Sequence, residues 1–136
     1  MTHPARVRLC LLGTLAWSLF LTGCESRQSL LDRQNKVLTS LRSSVTSVCH
    51  GWLDGNVSTT YARTALDAVG VLLEKERTTI SSSPELLADT DLASVSDAQH
   101  RLARQIALLR KALGESDANA IRQLVSAIEA GRSELP

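Results

Sequence analysis

Apolar residues recur along most of this chain at alternating intervals of three and four, the spacing that gathers side chains on one face of a helix. Leu31, Gln34, Leu38, Leu41, Val45, Val48 and Trp52 lie on one such seam and predict a helix from about Gln28 to His50. Gly51 and then Asp54-Gly55-Asn56 are expected to break it. Ser58 offers an N-cap for a second helix, with Ala62, Leu66, Val69, Leu73 and Ile80 on its apolar face and an end near Thr79. Ser81-Ser82-Ser83-Pro84 reads as a linker that ends in a helix start, with Ser83 as cap, Pro84 at the first helical position and one short turn over Glu85 to Ala88. Ser96-Asp97-Ala98-Gln99 has the form of a capping box and predicts the opening of a third helix, with Ala98, Leu102, Ile106, Leu109 and Leu113 inside. Gly114 is expected to stop that helix. Ser116 is expected to start a fourth, with Ile121, Leu124, Val125 and Ile128 inside and Gly131 at its end. No run alternates with period two, so no strand is predicted. Four amphipathic helices with short connections predict an all-α fold, a small four-helix up-and-down bundle over residues 30–131 with a tail at 132–136.

The first residues follow another pattern. Arg6 and Arg8 form a basic start, with no acid before Glu25. Leu9 to Leu21 is then an uncharged apolar run of 13 residues. A membrane-spanning helix needs about 20, so the run fits the apolar region of a secretory signal. Arg6-Val7-Arg8 is not a twin-arginine pair, which favours the general secretion route. The run closes on Leu21-Thr22-Gly23-Cys24, which resembles the lipobox of bacterial lipoproteins. That resemblance implies that residues 1–23 are removed by cleavage between Gly23 and Cys24. It implies a diacylglycerol on the Cys24 thiol and an N-acyl chain on the new amino terminus. Residues 24–29 then tether the bundle to the membrane. Anchoring is stable when two or more chains are buried. Glu25 follows the cysteine, where an Asp would be similar to the inner-membrane retention signal of enteric-type bacteria. The expected location is therefore the cell envelope, on the extracytoplasmic side, and the outer membrane facing the periplasm in a Gram-negative host. Beyond the lipid on Cys24, no cofactor is expected.

Composition narrows the function classes. Lys plus Arg is 15 and Asp plus Glu is 14 over 136 residues, a formal charge of +1. Loss of Arg6 and Arg8 takes the part from Cys24 onward to −1. A general nucleic-acid binder needs a strong positive field, and an acidic disordered solubiliser needs the opposite. After Cys24 the only aromatic residues are Trp52 and Tyr61, so the core must come from Leu, Val, Ile and Ala. A chain of this size buries roughly two-thirds of its unfolded surface, enough for one small core.

Of the three cysteines, Cys10 leaves with the signal and Cys24 carries lipid, so Cys49 is left alone and no intramolecular disulfide can form. It sits four residues after Val45 and beside Val48. Two roles stay open: a buried small hydrophobe, or a free thiol that reacts or pairs between molecules. Cys49-His50 lacks the first cysteine of a haem-attachment motif, because Thr46 stands there. His50 and His100 fall off the apolar seams, and zinc wants three or four close ligands, so no metal site is predicted. Asp89-Thr90-Asp91 opens like a calcium loop, but Ala93 and Ser94 occupy the next ligand and glycine positions; these acids read as a solvated turn. No nucleophile elbow, P-loop or dinucleotide fingerprint occurs, and no enzyme is expected.

The third helix is the most polarised. Arg101, Arg104 and Lys111 form a stripe with Leu108 among them; Arg110 lies alongside and Asp97 alone opposes them. This is either a solvated face with basic residues suited to a helix C-terminus, or a docking face for anionic headgroups or an acidic partner. No aromatics interleave the charges as single-stranded nucleic acid would require. The leading expectation is an envelope interaction or scaffold lipoprotein with an unidentified protein partner. The alternative is a small-ligand or metal-binding bundle, and an enzyme comes last. Secretin-pilotin lipoproteins are similar in size and helical class. They keep a disulfide that a single remaining cysteine cannot make, so the likeness is one of fold class alone.

Overall fold

The computed structural model describes residues 27–82 and 90–131. The expected signal segment and lipobox, the expected cap at Ser83 with the short turn over Glu85 to Ala88, and the expected tail at 132–136 lie outside them. The fold is an all-α four-helix bundle: α1 spans Arg27–Leu53, α2 Thr59–Ser81, α3 Thr90–Glu115 and α4 Ala118–Glu129. The bundle belongs to the unit Leu31–Pro136. α1 to α3 alternate in direction. Gln34 of α1 bonds Gln99 of α3, and Asp67 near the start of α2 pairs with Arg110 near the end of α3.

The first three helices are 27, 23 and 26 residues long, and α4 has only 12. At 1.5 Å per residue α4 is about 18 Å long, less than half of α1. Its last residue, Glu129, lies 2.9 Å from Nε2 of His50, one turn from the end of α1. α4 therefore covers the end of the bundle where α1 and α3 finish.

The main core comes from all four helices. Leu38, Leu41, Val45 and Cys49 of α1 meet Ala62, Leu66, Val69 and Leu73 of α2. Leu102, Ile106, Leu109 and Leu113 of α3 and Ile121, Leu124, Val125 and Ile128 of α4 complete it. The seams of α2, α3 and α4 are those that the spacing predicts; on α1 the seam holds as far as Val45, after which Cys49 is wholly buried and the expected Val48 and Trp52 are half-buried at the edge of the core. Full burial of a Leu, Val or Ile side chain contributes roughly 1.5–3 kcal/mol. A core of this size is ample for a small domain.

The ends of the helices differ from expectation in physically clear ways. α1 opens at Arg27, inside the segment assigned to the tether, and runs through Gly51 to Leu53. Gly51 does not break it because the seam continues to Trp52, which is half-buried. The stop is Gly55, at φ 75°. There the Asn56 N–H donates to the Gly51 carbonyl at 2.8 Å and the Gly55 N–H to the Trp52 carbonyl at 3.0 Å, the Schellman pattern of a helix C-terminus. Ser58 caps α2 as expected, its hydroxyl accepting from the Tyr61 N–H. Trp52 Nε1 donates to Thr59 Oγ1 at 3.0 Å and ties the two helices across the turn.

α3 begins at Thr90, six residues before the capping box that was expected to open it. Leu92 and Val95 carry the seam back from Ala98, and both are buried. Ser96 therefore lies within the helix. Thr90 and Asp91 belong to the first turn of α3, where an acid suits the positive end of the helix dipole. At its other end α3 passes through Gly114 to Glu115, and the left-handed residue is Ser116, at φ 55°. The Asp117 N–H donates to the Ala112 carbonyl at 2.9 Å, which places Ser116 where glycine is usual. Asp117, rather than Ser116, caps α4, its Oδ1 accepting from the N–H groups of Asn119 and Ala120. Gly131 closes α4 at φ 65°.

Candidate functional site

Gly23 and Cys24, the expected cleavage and lipidation residues, lie outside the described residues. The remaining candidates are placed by the three long helices. Cys49 is wholly buried among the residues of the main core. Burial pushes its thiol up to about 11, because a thiolate is poorly solvated there. Nothing in its surroundings activates it as a nucleophile, which needs the opposite shift.

His50 and His100 are both exposed. His50 faces Glu129, and Nε2 of His100 lies 3.4 Å from Nη2 of Arg77, which also donates through Nη1 to Glu74. The two imidazoles are therefore held on different pairs of helices. Among the described residues no group of three or more His, Cys, Asp or Glu could hold a metal ion. None of the described helices is long and apolar enough to cross a membrane.

Arg101, Arg104, Leu108 and Lys111 do share the outer side of α3, opposite its buried seam. Arg101 is half-buried and the other three are exposed. Leu108 keeps 51% of its surface in solvent. Lys111 Nζ lies 4.0 Å from Glu115. Arg110 is set apart from the stripe, because its Nε donates to Asp67 Oδ1 of α2 at 2.7 Å. Asp97 is therefore not the only acid near these bases.

That ion pair stands at one end of a groove between α2 and α3. Leu66 and Ile106 lie in it with Gly70, Val71, Ala103 and Ala107, and Asp67, Glu74 and Arg110 are its charged members. Val71 is 71% exposed. Leu72 beside it is 52% exposed. The signal that could have found them is their offset from the seam: Val69 and Leu73 are buried, and positions 71 and 72 fall between them.

A polar layer crosses the core lower down. Gln99 Nε2 donates to Gln34 Oε1 at 3.0 Å, and Gln34 Nε2 donates to Glu76 Oε2 at 3.1 Å. Gln34 and Gln99 are 0% and 1% exposed. Gln99 Oε1 is buried with no hydrogen-bond partner among the described residues. One residue from each long helix thus meets at one level. Gln34 stood openly on the predicted seam of α1. Gln99 was masked by its reading as a capping residue. Beyond the layer lie Leu31, Ile80, Leu92 and Val95, all buried.

The described residues offer an outer surface with ordered charge and three large exposed aliphatic side chains, Val71, Leu72 and Leu108. Comparison with protein-family models, with curated proteins and with solved structures finds no match to this chain.

Proposed function

We propose that this chain is a membrane-anchored bacterial lipoprotein whose helical bundle serves as an interaction module in the cell envelope. The observation that carries the reading is the run Leu9 to Leu21 closing on Leu21-Thr22-Gly23-Cys24. Cleavage before Cys24 and acylation of its thiol leave a short polar tether on a folded bundle. Two or more acyl chains hold such a domain stably at a leaflet, and Glu25 after the cysteine favours the outer membrane. The bundle presents Arg101, Arg104, Leu108 and Lys111 as a docking face toward an envelope protein. This accords with the charge pattern of that face and with its exposed Leu108.

The test is direct. Cells expressing the wild-type chain are fed labelled fatty acid, and label should enter the protein. Cys24→Ala should take up no label and should accumulate uncleaved. A Cys24→Ala protein that is still labelled and processed normally refutes the lipoprotein reading. Crosslinking in intact cells followed by mass spectrometry then identifies what the α3 face contacts.

A further inference from the structure

The α2–α3 surface carries two stripes of opposite charge with the same internal spacing. On α2, Asp67, Val71 and Glu74 place an exposed aliphatic between two acids at intervals of four and three. On α3, Arg104, Leu108 and Lys111 place an exposed aliphatic between two bases at the same intervals. The helices run in opposite directions, and two contacts fix their relative heights. Asp67 is level with Arg110, at 2.7 Å, and Arg77 is level with His100, at 3.4 Å. Ten residues down α2 therefore match ten residues back along α3. Asp67 lies within one residue of the height of Lys111, Glu74 within one residue of Arg104, and Val71 within two residues of Leu108. At 1.5 Å per residue the largest offset is about 3 Å.

From this we infer that the partner of the α2–α3 surface is a second copy of this chain, related by a twofold axis parallel to the helices. Such an axis keeps every residue at its own height and lays α2 of each copy over α3 of the other. Asp67 then meets Lys111 of the second copy and Glu74 meets its Arg104. Symmetry makes each contact twice, as an isologous interface requires. Gly70, Ala103 and Ala107, between the stripes, are small and leave room for close approach. The axis also puts both α1 helices with their starting ends at the same level. Two chains anchored in one leaflet need that arrangement, whereas an antiparallel pair would not allow it.

The inference names the occupant of the interaction face and so rests on the interaction-module reading. Within each chain Arg77 holds Glu74 at 2.7 Å and Glu115 lies 4.0 Å from Lys111. Arg110 holds Asp67 from within the groove, and a second cation on a carboxylate oxygen completes a network rather than breaking a pair.

The test uses the full chain, isolated from membranes in mild detergent, with its mass read by sedimentation and its Cys24 acylation read by mass spectrometry. Wild type should sediment as two protein chains. Glu74→Lys alone and Arg104→Glu alone each set like charges opposite one another twice per dimer, and each should dimerise about tenfold more weakly or worse. An equimolar mixture of the two variants restores attraction at every contact and should recover a heterodimer at wild-type strength. That recovery cannot come from a folding defect. Helical circular dichroism of each variant should match wild type. A monomeric wild type, or reversals that leave the dimer unchanged, overturns the inference. Acylation in the same samples is a separate result, so loss of the dimer and loss of the anchor are told apart.

Discussion

The buried glutamine layer gives a sharp energetic prediction. In the native chain Gln99 satisfies its amide N–H₂ through Gln34 but leaves Oε1 unpaired in the core. An unsatisfied buried acceptor costs roughly 1–3 kcal/mol. Gln34→Leu removes the partner of Gln99 and strands a second polar group, so it should destabilise by about 1–3 kcal/mol. Gln99→Leu removes the orphan carbonyl but takes the donor from Gln34 Oε1; one orphan replaces another and the change should be small. Substituting both removes every buried amide of the layer. Glu76 is only half-buried and recovers its lost bond from water. The double variant should therefore be more stable than wild type by about 1–2 kcal/mol. The coupling between the sites should be at least about 2 kcal/mol, well above the few tenths expected of independent sites. Urea unfolding of the four proteins measures this, with equal slopes confirming that midpoints can be compared. If the double variant is the least stable of the four and the single effects add, Gln99 Oε1 is satisfied in solution and the layer is an ordinary hydrogen-bonded one.

Two further predictions concern particular residues. Because burial raises the folded Cys49 thiol from 9.0 to about 11, the folded state disfavours its thiolate. Its contribution to stability is complete below pH 9 and falls as pH rises toward 11, since the unfolded chain ionises first; Cys49→Ala should flatten that fall. A thiol reagent at pH 8 should modify Cys49 only at the rate of unfolding, and rapid labelling of folded protein would contradict its burial. At the α3–α4 turn, Ser116→Gly should stabilise by about 1 kcal/mol by relieving a left-handed backbone. Asp117→Ala should cost about 1 kcal/mol by removing a cap that accepts two N–H groups. Equal melting temperatures for these two variants would show that the turn is not strained as described.

The seams were legible because their chemistry is periodic and local. All five residues assigned to the face of α2 are buried, as are all five inward residues of α3 and all four of α4. The helix ends were less legible because two signals compete at each. Ser96-Asp97-Ala98-Gln99 satisfies a capping pattern, yet the free energy of burying Leu92 and Val95 outweighs a cap worth about 1 kcal/mol. Gly114 looked like a stop, but only the hydrogen bond from Asp117 to Ala112 shows which residue turns left-handed. The α3 stripe was visible as a pattern. Its complement on α2 was not, because it matters only once Asp67 is seen level with Arg110. Long-range register of this kind is a property of the packed structure and is not carried by either helix alone.

Register is also the best account of why a buried glutamine layer persists. The core is built almost wholly from Leu, Val, Ile and Ala, with no Phe or Met after Cys24. Seams spaced at three and four look nearly alike after a slip of one turn, so aliphatic packing discriminates weakly between alignments. A slip of one turn moves a helix by 5.4 Å. It would separate Gln34 from Gln99 and Glu76 and leave several buried polar groups unpaired, at roughly 1–3 kcal/mol each. The same slip would part Asp67 from Arg110 and His50 from Glu129. These surface pairs contribute little individually, but they favour the same alignment as the layer. An apolar layer would be more stable and less selective, as polar positions in helical assemblies illustrate. The proposed twofold surface needs that selectivity, because a slipped α2 would carry Asp67 and Glu74 a full turn away from the bases they oppose. The orphan carbonyl of Gln99 is thus the local cost of an alignment on which the outer charge pattern depends.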